Sequence, residues 1–187
     1  MIASFLRGFV VTALTTTLVL VGLGAAAAAL LFREPTARLE ARGMSFAIPA
    51  GWMCQFADTE TVCRPKDGHP LAKRAIIVAT AKTVSANDNA AFYETYLTTP
   101  HRPRDDEPLS TILYYRQSDI GGRQWADALH QGSLLPAYYS RYLAVVVGAT
   151  AVLITLSFHK DVYAEQDAFM TEFVSSIRVR GELGTAA

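Results

Sequence analysis

Charge is missing from the first part of this chain. Residues 8–32, GFVVTALTTTLVLVGLGAAAAALLF, carry no charged side chain, and only Arg7 precedes them. All seventeen acidic residues and every basic one except Arg7 fall after residue 32, where the two signs nearly cancel. That balance argues against a nucleic-acid binder and against a strongly acidic ligand. Cysteine is scarce: there are two, Cys54 and Cys63. Without a second pair, and with four scattered histidines, a zinc site is not expected. A nucleophile elbow, a phosphate-binding glycine loop and an HExxH pattern are all lacking. No metal or cofactor is therefore expected. No repeat or low-complexity run stands out beyond the alanine block at 25–29.

What is present begins with the uncharged run itself. As a helix it would span about 37 Å, enough to cross a bilayer with some tilt. Arg7 and the alanine block resemble parts of a secretory signal. The apolar run is longer than a signal h-region, however, and no cysteine follows to accept a lipid. An uncleaved anchor over residues 1–32 is preferred to a cleaved peptide. Gly22 and Ala26, and Gly24 and Ala28, have the small-xxx-small spacing that lets membrane helices approach closely. A signal-peptide c-region or ordinary filler accounts for them more simply. Beyond the run, Arg33, Arg38 and Arg42 outnumber Arg7, and the positive-inside rule alone would keep the following domain in the cytoplasm.

The cysteines argue the other way. Residues 33–43 read as a linker with a helical turn or two in 36–42, and residues 44–48 as a first strand. Residues 52–63 read as a hairpin around Asp58-Thr59. Counted outward from that turn, Cys54 and Cys63 form a non-hydrogen-bonded pair, where cross-strand side chains come closest. A disulfide is expected there. It would close a ten-residue loop, contributing roughly 2.5–3 kcal/mol in the chain-entropy model, and would need an oxidising compartment. The bland alternative is two reduced, buried thiols. The disulfide decides the expected location: a single-pass protein of the bacterial cytoplasmic (inner) membrane with its C-terminal domain in the periplasm.

The fold turns on residues 142–158, YLAVVVGATAVLITLSF. As a helix this stretch would reach only roughly 26 Å, short of the ~30 Å hydrocarbon core. It is rich in β-branched residues, is broken by Gly148-Ala149-Thr150, and then alternates. Val152, Ile154, Leu156 and Phe158 share one face; Leu153, Thr155 and Ser157 share the other. A buried hairpin is predicted, with a second membrane span as the alternative. Residues 75–81 and 111–117 read as strands. Residues 123–130 form another, with Trp125, Asp127 and Leu129 opposite Ala126, Ala128 and His130. Helices are predicted over 85–97, capped by Asn87 or Asp88 with Phe92, Tyr96 and Tyr93 as its apolar face, and over 160–177. Residues 98–108 form a charged, proline-rich loop. His101, Asp105, Asp106 and Glu107 there read as solvated rather than as metal ligands. The tail, 179–187, reads as disordered. Helices over an antiparallel sheet make an α+β domain at 44–178.

Four stretches carry a resemblance: MSFAIPAGW at the start, DIGGRQW mid-chain, VLITLSF in the penultimate strand and FMTEFVSSIRV at the close. Over roughly residues 44–178 the chain resembles the PsbP-like superfamily. That resemblance implies an antiparallel sheet sandwiched by helices and a binding or accessory role without a common active site. The membrane segment and the cysteine pair depart from the pattern.

One stretch invites a chemical reading. In residues 125–142, His130 and Ser133 could be drawn as the base and nucleophile of a small exported hydrolase. Asp127, the only nearby acid, would point away from His130 on a strand, and no oxyanion hole is evident. Trp125, His130, Tyr138, Tyr139 and Arg141 read better as an interaction surface, since tryptophan, tyrosine and arginine are enriched at binding hot spots. The tyrosines packing under helices is the alternative. The expectation is a non-enzymatic envelope protein, tethered to the cytoplasmic membrane by its N-terminal helix and supporting a larger membrane protein complex. In that reading, replacing Tyr139 and Arg141 weakens association without loss of stability.

Overall fold

The computed structural model describes residues 38–41 and 43–180. The expected membrane segment, with Gly22 and Ala26, and the end of the tail lie outside the described residues. The elements run β1 (Arg38–Ala41), β2 (Met44–Ala47), β3 (Trp52–Ala57), β4 (Glu60–Pro65), β5 (Ala75–Thr83), α1 (Ala90–Leu97), β6 (Thr111–Ile120), β7 (Arg123–Gln131), β8 (Tyr138–Val147), β9 (Thr150–His159), α2 (Lys160–Tyr163), α3 (Asp167–Ser176) and β10 (Arg178–Val179). Seven strands make one antiparallel sheet in the order β3-β4-β5-β9-β8-β7-β6. A second, three-stranded sheet has the order β1-β2-β10.

Residues 142–158 lie at the centre of the large sheet. Val147 pairs with Thr150, leaving Gly148-Ala149 as a two-residue loop, one residue shorter than the sequence suggests. Gly148 sits at φ +56°, a left-handed conformation that glycine adopts without a Cβ clash. Val152, Ile154, Leu156 and Phe158 are all fully buried on one face. A second membrane span is thereby overturned, because this stretch is paired on both sides inside a sheet. Among the described residues no helix is long and apolar enough to cross a membrane.

The two faces are covered differently. On one, α3 and the three-stranded sheet close over the large apolar cluster. Phe46 meets Phe173 at 5.1 Å between ring centroids, and Phe169 stacks on Trp52 at 5.5 Å. On the other, Tyr93 and Leu97 of α1 rest on Ala126, Ala128, Ala144 and Ala151. Those alanines leave room for the helix to approach the sheet closely.

The β3–β4 hairpin turns on Asp58-Thr59, with Ala57 opposite Glu60. Cys54 and Cys63 are direct partners 4.0 Å apart at Cα, and they are disulfide-bonded. The β6–β7 hairpin turns on Gly121-Gly122, at φ +62° and +76°. Positive φ at both central residues is the type I′ geometry, one of the two-residue turns whose twist matches that of the flanking strands.

Four expectations need correction. Residues 38–41 are a strand, not a helical turn, because β2 offers them a ladder partner. The first long helix begins only at Ala90, capped by Asn89, whose Oδ1 accepts from the Phe92 amide at 2.9 Å. Asp88 is instead engaged by Ser85, Lys82 and the Tyr93 hydroxyl, which holds the preceding residues in a turn. Tyr93 and Leu97 face inward, while Phe92 is exposed. The closing helix is broken into α2 and α3 by successive i→i+3 bonds, Glu165 N–H to Val162 and Gln166 N–H to Tyr163. Val179, read as part of the tail, pairs with Met44.

Candidate functional site

A fully buried carboxylate, Asp127, organises a place where charge meets an open groove. Asp127 lies on β7, directly across the β6–β7 ladder from Arg116 and diagonal to Arg141 on β8. It accepts five hydrogen bonds: two from Arg141 at 2.9 and 2.8 Å, one from Arg116 Nε at 3.0 Å, one from Ser118 at 2.7 Å and one from Tyr114 at 3.3 Å. Burial pushes its carboxyl up. The hydrogen bonds and charge of Arg141, with Ser118 and Arg116, outweigh this and hold it below the usual carboxylate range. For Arg141, burial opposes the charge and Asp127 more than restores it. Burial pushes the Tyr114 phenol up to about 12, so it stays protonated and able to donate.

The groove lies between α3 and strands β6 and β8 and has a volume of about 650 Å³. Tyr114, Arg116, Arg141 and Tyr163 line it, with Met170, Asp167 and Glu172 from α3. Arg116 is 57 % exposed and lies over the Tyr114 ring, 4.8 Å from its centroid; the Arg141 side chain is 13 % exposed. Among the described residues, neither Arg116's two terminal nitrogens nor Arg141's Nη1 has a protein partner. These donors match a carboxylate. Asp167 and Glu172 place negative charge beside them, so the lining has both signs.

The opposite face holds the groups that suggested a hydrolase. His130 is fully buried. Its Nε2–H donates to the Leu97 carbonyl at 2.9 Å, which leaves Nδ1 to accept from Ser110 Oγ at 3.3 Å. Ser133 is buried against the Tyr142 hydroxyl at 2.8 Å. Both partners of the proposed dyad are committed elsewhere, and Asp127 projects from the other face of β7. Burial pushes His130 down, more than its bond to Leu97 raises it, and His101 adds to the lowering. It is a neutral core histidine.

The predicted interaction residues therefore separate. Trp125 and His130 are buried and offer no surface to a partner; the Trp125 indole N–H donates to the Ile120 carbonyl. Tyr138 is half-buried and donates to the Lys73 carbonyl at 2.8 Å. Tyr139 stacks on Tyr163 at 4.5 Å, at the side of the groove. Only Arg141 lines it, and its pairing to Asp127 makes it part of the packing. Replacing Arg141 cannot leave stability intact, because it would strand a buried charge. Arg116 and Tyr114 went unnoticed in the sequence.

No protein-family model matches the sequence, and no curated protein does. Solved structures do. The cyanobacterial PsbP (CyanoP) from Synechocystis sp. shares the fold at TM-score 0.59 and 11% identity, covering 76% of this chain and 91% of that one. LpqN of Mycobacterium tuberculosis matches at TM-score 0.51 and 9% identity, over 80% of this chain and 87% of its own. A protein of unknown function from Pseudomonas aeruginosa matches at 0.51 and 10%, over 80% and 100%. The domain thus has the PsbP-like fold, a mostly antiparallel sheet with a few helices, consistent with the resemblance in the sequence.

Proposed function

We propose that this chain is a non-enzymatic, membrane-anchored envelope protein whose periplasmic domain supports a larger membrane protein complex. The α3 groove is where it receives an acidic segment of its partner. The observation that carries this reading is the pair of guanidinium groups fixed by buried Asp127, with donors left over toward the groove. A carboxylate entering beside Arg116 meets charged donors already in place. Asp167 and Glu172 disfavour a polyanion such as nucleic acid and favour a segment that pairs an acidic residue with a basic one. The fold is shared with CyanoP and with LpqN, the latter described as involved in cell envelope biogenesis, which suits an accessory role at a coarse level. The disulfide suits an oxidising compartment. The hydrolase alternative loses its support where His130 and Ser133 spend their hydrogen bonds elsewhere.

Arg116→Glu reverses the most exposed groove charge. The tagged full chain and this variant would be extracted from membranes in mild detergent, and co-purifying proteins quantified. A stoichiometric membrane protein bound by the native chain and lost with Arg116→Glu is the expected result. The same set of proteins with both, or none with either, would sink the proposal.

A further inference from the structure

Among the described residues the large sheet has two open edges, β3 and β6. An open edge presents unpaired N–H and C=O groups, and natural proteins blunt it with bulges, charges or proline. β6 is blunted in this way: its register breaks between Ile112 and Tyr114, and Arg116 and Asp119 lie along it. β3 has neither protection. Trp52–Ala57, WMCQFA, contains no charge and no proline, and its pairing with β4 is regular from Trp52 through Ala57. Counted from the two-residue turn, residues 53, 55 and 57 exchange bonds with β4, so the amides and carbonyls of Cys54 and Phe56 point outward. Met53 is 49 % and Phe56 62 % exposed, two large apolar side chains on one six-residue edge. The Cys54–Cys63 disulfide fastens the strand to β4 and prevents it from peeling away.

We propose that β3 is the contact between two copies of this chain, paired antiparallel across a two-fold axis so that the two seven-stranded sheets become continuous. The charge pattern selects a second copy. Across a two-fold axis each strand meets itself, so any charge on it faces or neighbours its own kind, and like charges across an antiparallel pair are destabilising. An uncharged edge escapes this. Antiparallel self-pairing brings the outward groups of Cys54 and Phe56 against the equivalent edge, and places Phe56 on apolar neighbours. One strand edge is a small contact, so the dimer is weak and concentration-dependent.

The test is sedimentation of the full chain in mild detergent over a concentration series reaching about 100 µM, with amide exchange read at Cys54 and Phe56. The expected result is a monomer–dimer equilibrium, with both amides more protected at high concentration. Phe56→Lys puts a charge on the edge without entering the core and is expected to raise the dimer dissociation constant at least about tenfold. Met53→Lys is a second variant on the other face of the same strand, expected to act in the same direction. A native chain that stays monomeric throughout would overturn the proposal. So would a dimer that tolerates both substitutions or leaves the two amides unprotected.

Discussion

The two faces of the seven-stranded sheet bury polar groups by opposite means. Under α3 the surroundings are apolar, and the one acid among them, Asp127, is charged and fully paired by two arginines, a serine and a tyrosine. Under α1, apart from Asp88 before its first turn, which pairs with Lys82 and the Tyr93 hydroxyl, the buried polar groups are neutral and meet in small sets: Ser140 with Ser157 at 2.8 Å, Ser133 with Tyr142, His130 with Ser110 and Leu97. A buried charge needs opposite charge as well as hydrogen bonds, and each buried acid finds both where its basic partner reaches solvent, Arg116 for Asp127 and Lys82 for Asp88. Neutral hydroxyls need one partner each, so they can lie beneath a helix.

Asp127→Ala breaks the charged face and carries the largest expected effect. It strands Arg141 without its counter-charge and should cost about 3–5 kcal/mol in urea unfolding. A cost below about 1 kcal/mol would mean that water screens the pair in solution. Ser157→Ala tests the neutral face. It leaves the Ser140 hydroxyl buried without its partner, for a loss of about 1–3 kcal/mol, whereas the double replacement of Ser140 and Ser157 by alanine should be close to neutral. Equal costs for single and double variants would refute the pairing.

Acid titration sharpens the comparison with the smallest effect. His130 binds its proton less readily when folded than unfolded, so its contribution is intact above about pH 6.5 and declines as pH falls through its lowered folded value. Asp127 is also depressed, so its contribution persists to lower pH. It is intact above the ordinary carboxylate value of about 4 and is lost only as pH falls through its own lowered value. Thermal unfolding against pH should show the α1 face weakening first. His130→Gln should remove the slope just below pH 6.5 and leave the steeper acid loss in place. A slope unchanged in His130→Gln would assign it to another group.

Much of this was legible wherever a two-residue turn sets a register. Asp58-Thr59 placed Cys54 opposite Cys63 by counting alone, and the alternation of Val152 through Phe158 gave the hairpin its buried face. Counting outward from Gly121-Gly122 would have placed Arg116 opposite Asp127 in the same way, and so exposed half of the groove's charge network. The other half could not be counted. Asp127 and Arg141 are joined through the longer connection between β7 and β8, whose length does not dictate a register. The strand at 38–41 and the break between α2 and α3 were hidden for a different, local reason: the first pairs with β2 just beyond it, the second rests on i→i+3 bonds within residues 162–166, and neither leaves a mark on the apolar spacing. Burial of Trp125 and His130 was equally out of reach, because alternation shows which side chains share a face but not what covers that face.

The five hydrogen bonds converging on Asp127 have a consequence for the kinetics of recognition. Free arginine side chains sample many rotamers, and ordering one at an interface typically costs about 0.5–1.5 kcal/mol. Here folding has already removed that freedom from Arg141 and restrained Arg116. On the proposed reading, a segment arriving in the groove would meet a rigid template, so complex formation would depend on the rate of encounter and on the order of the incoming chain, not on any rearrangement of the receiving surface.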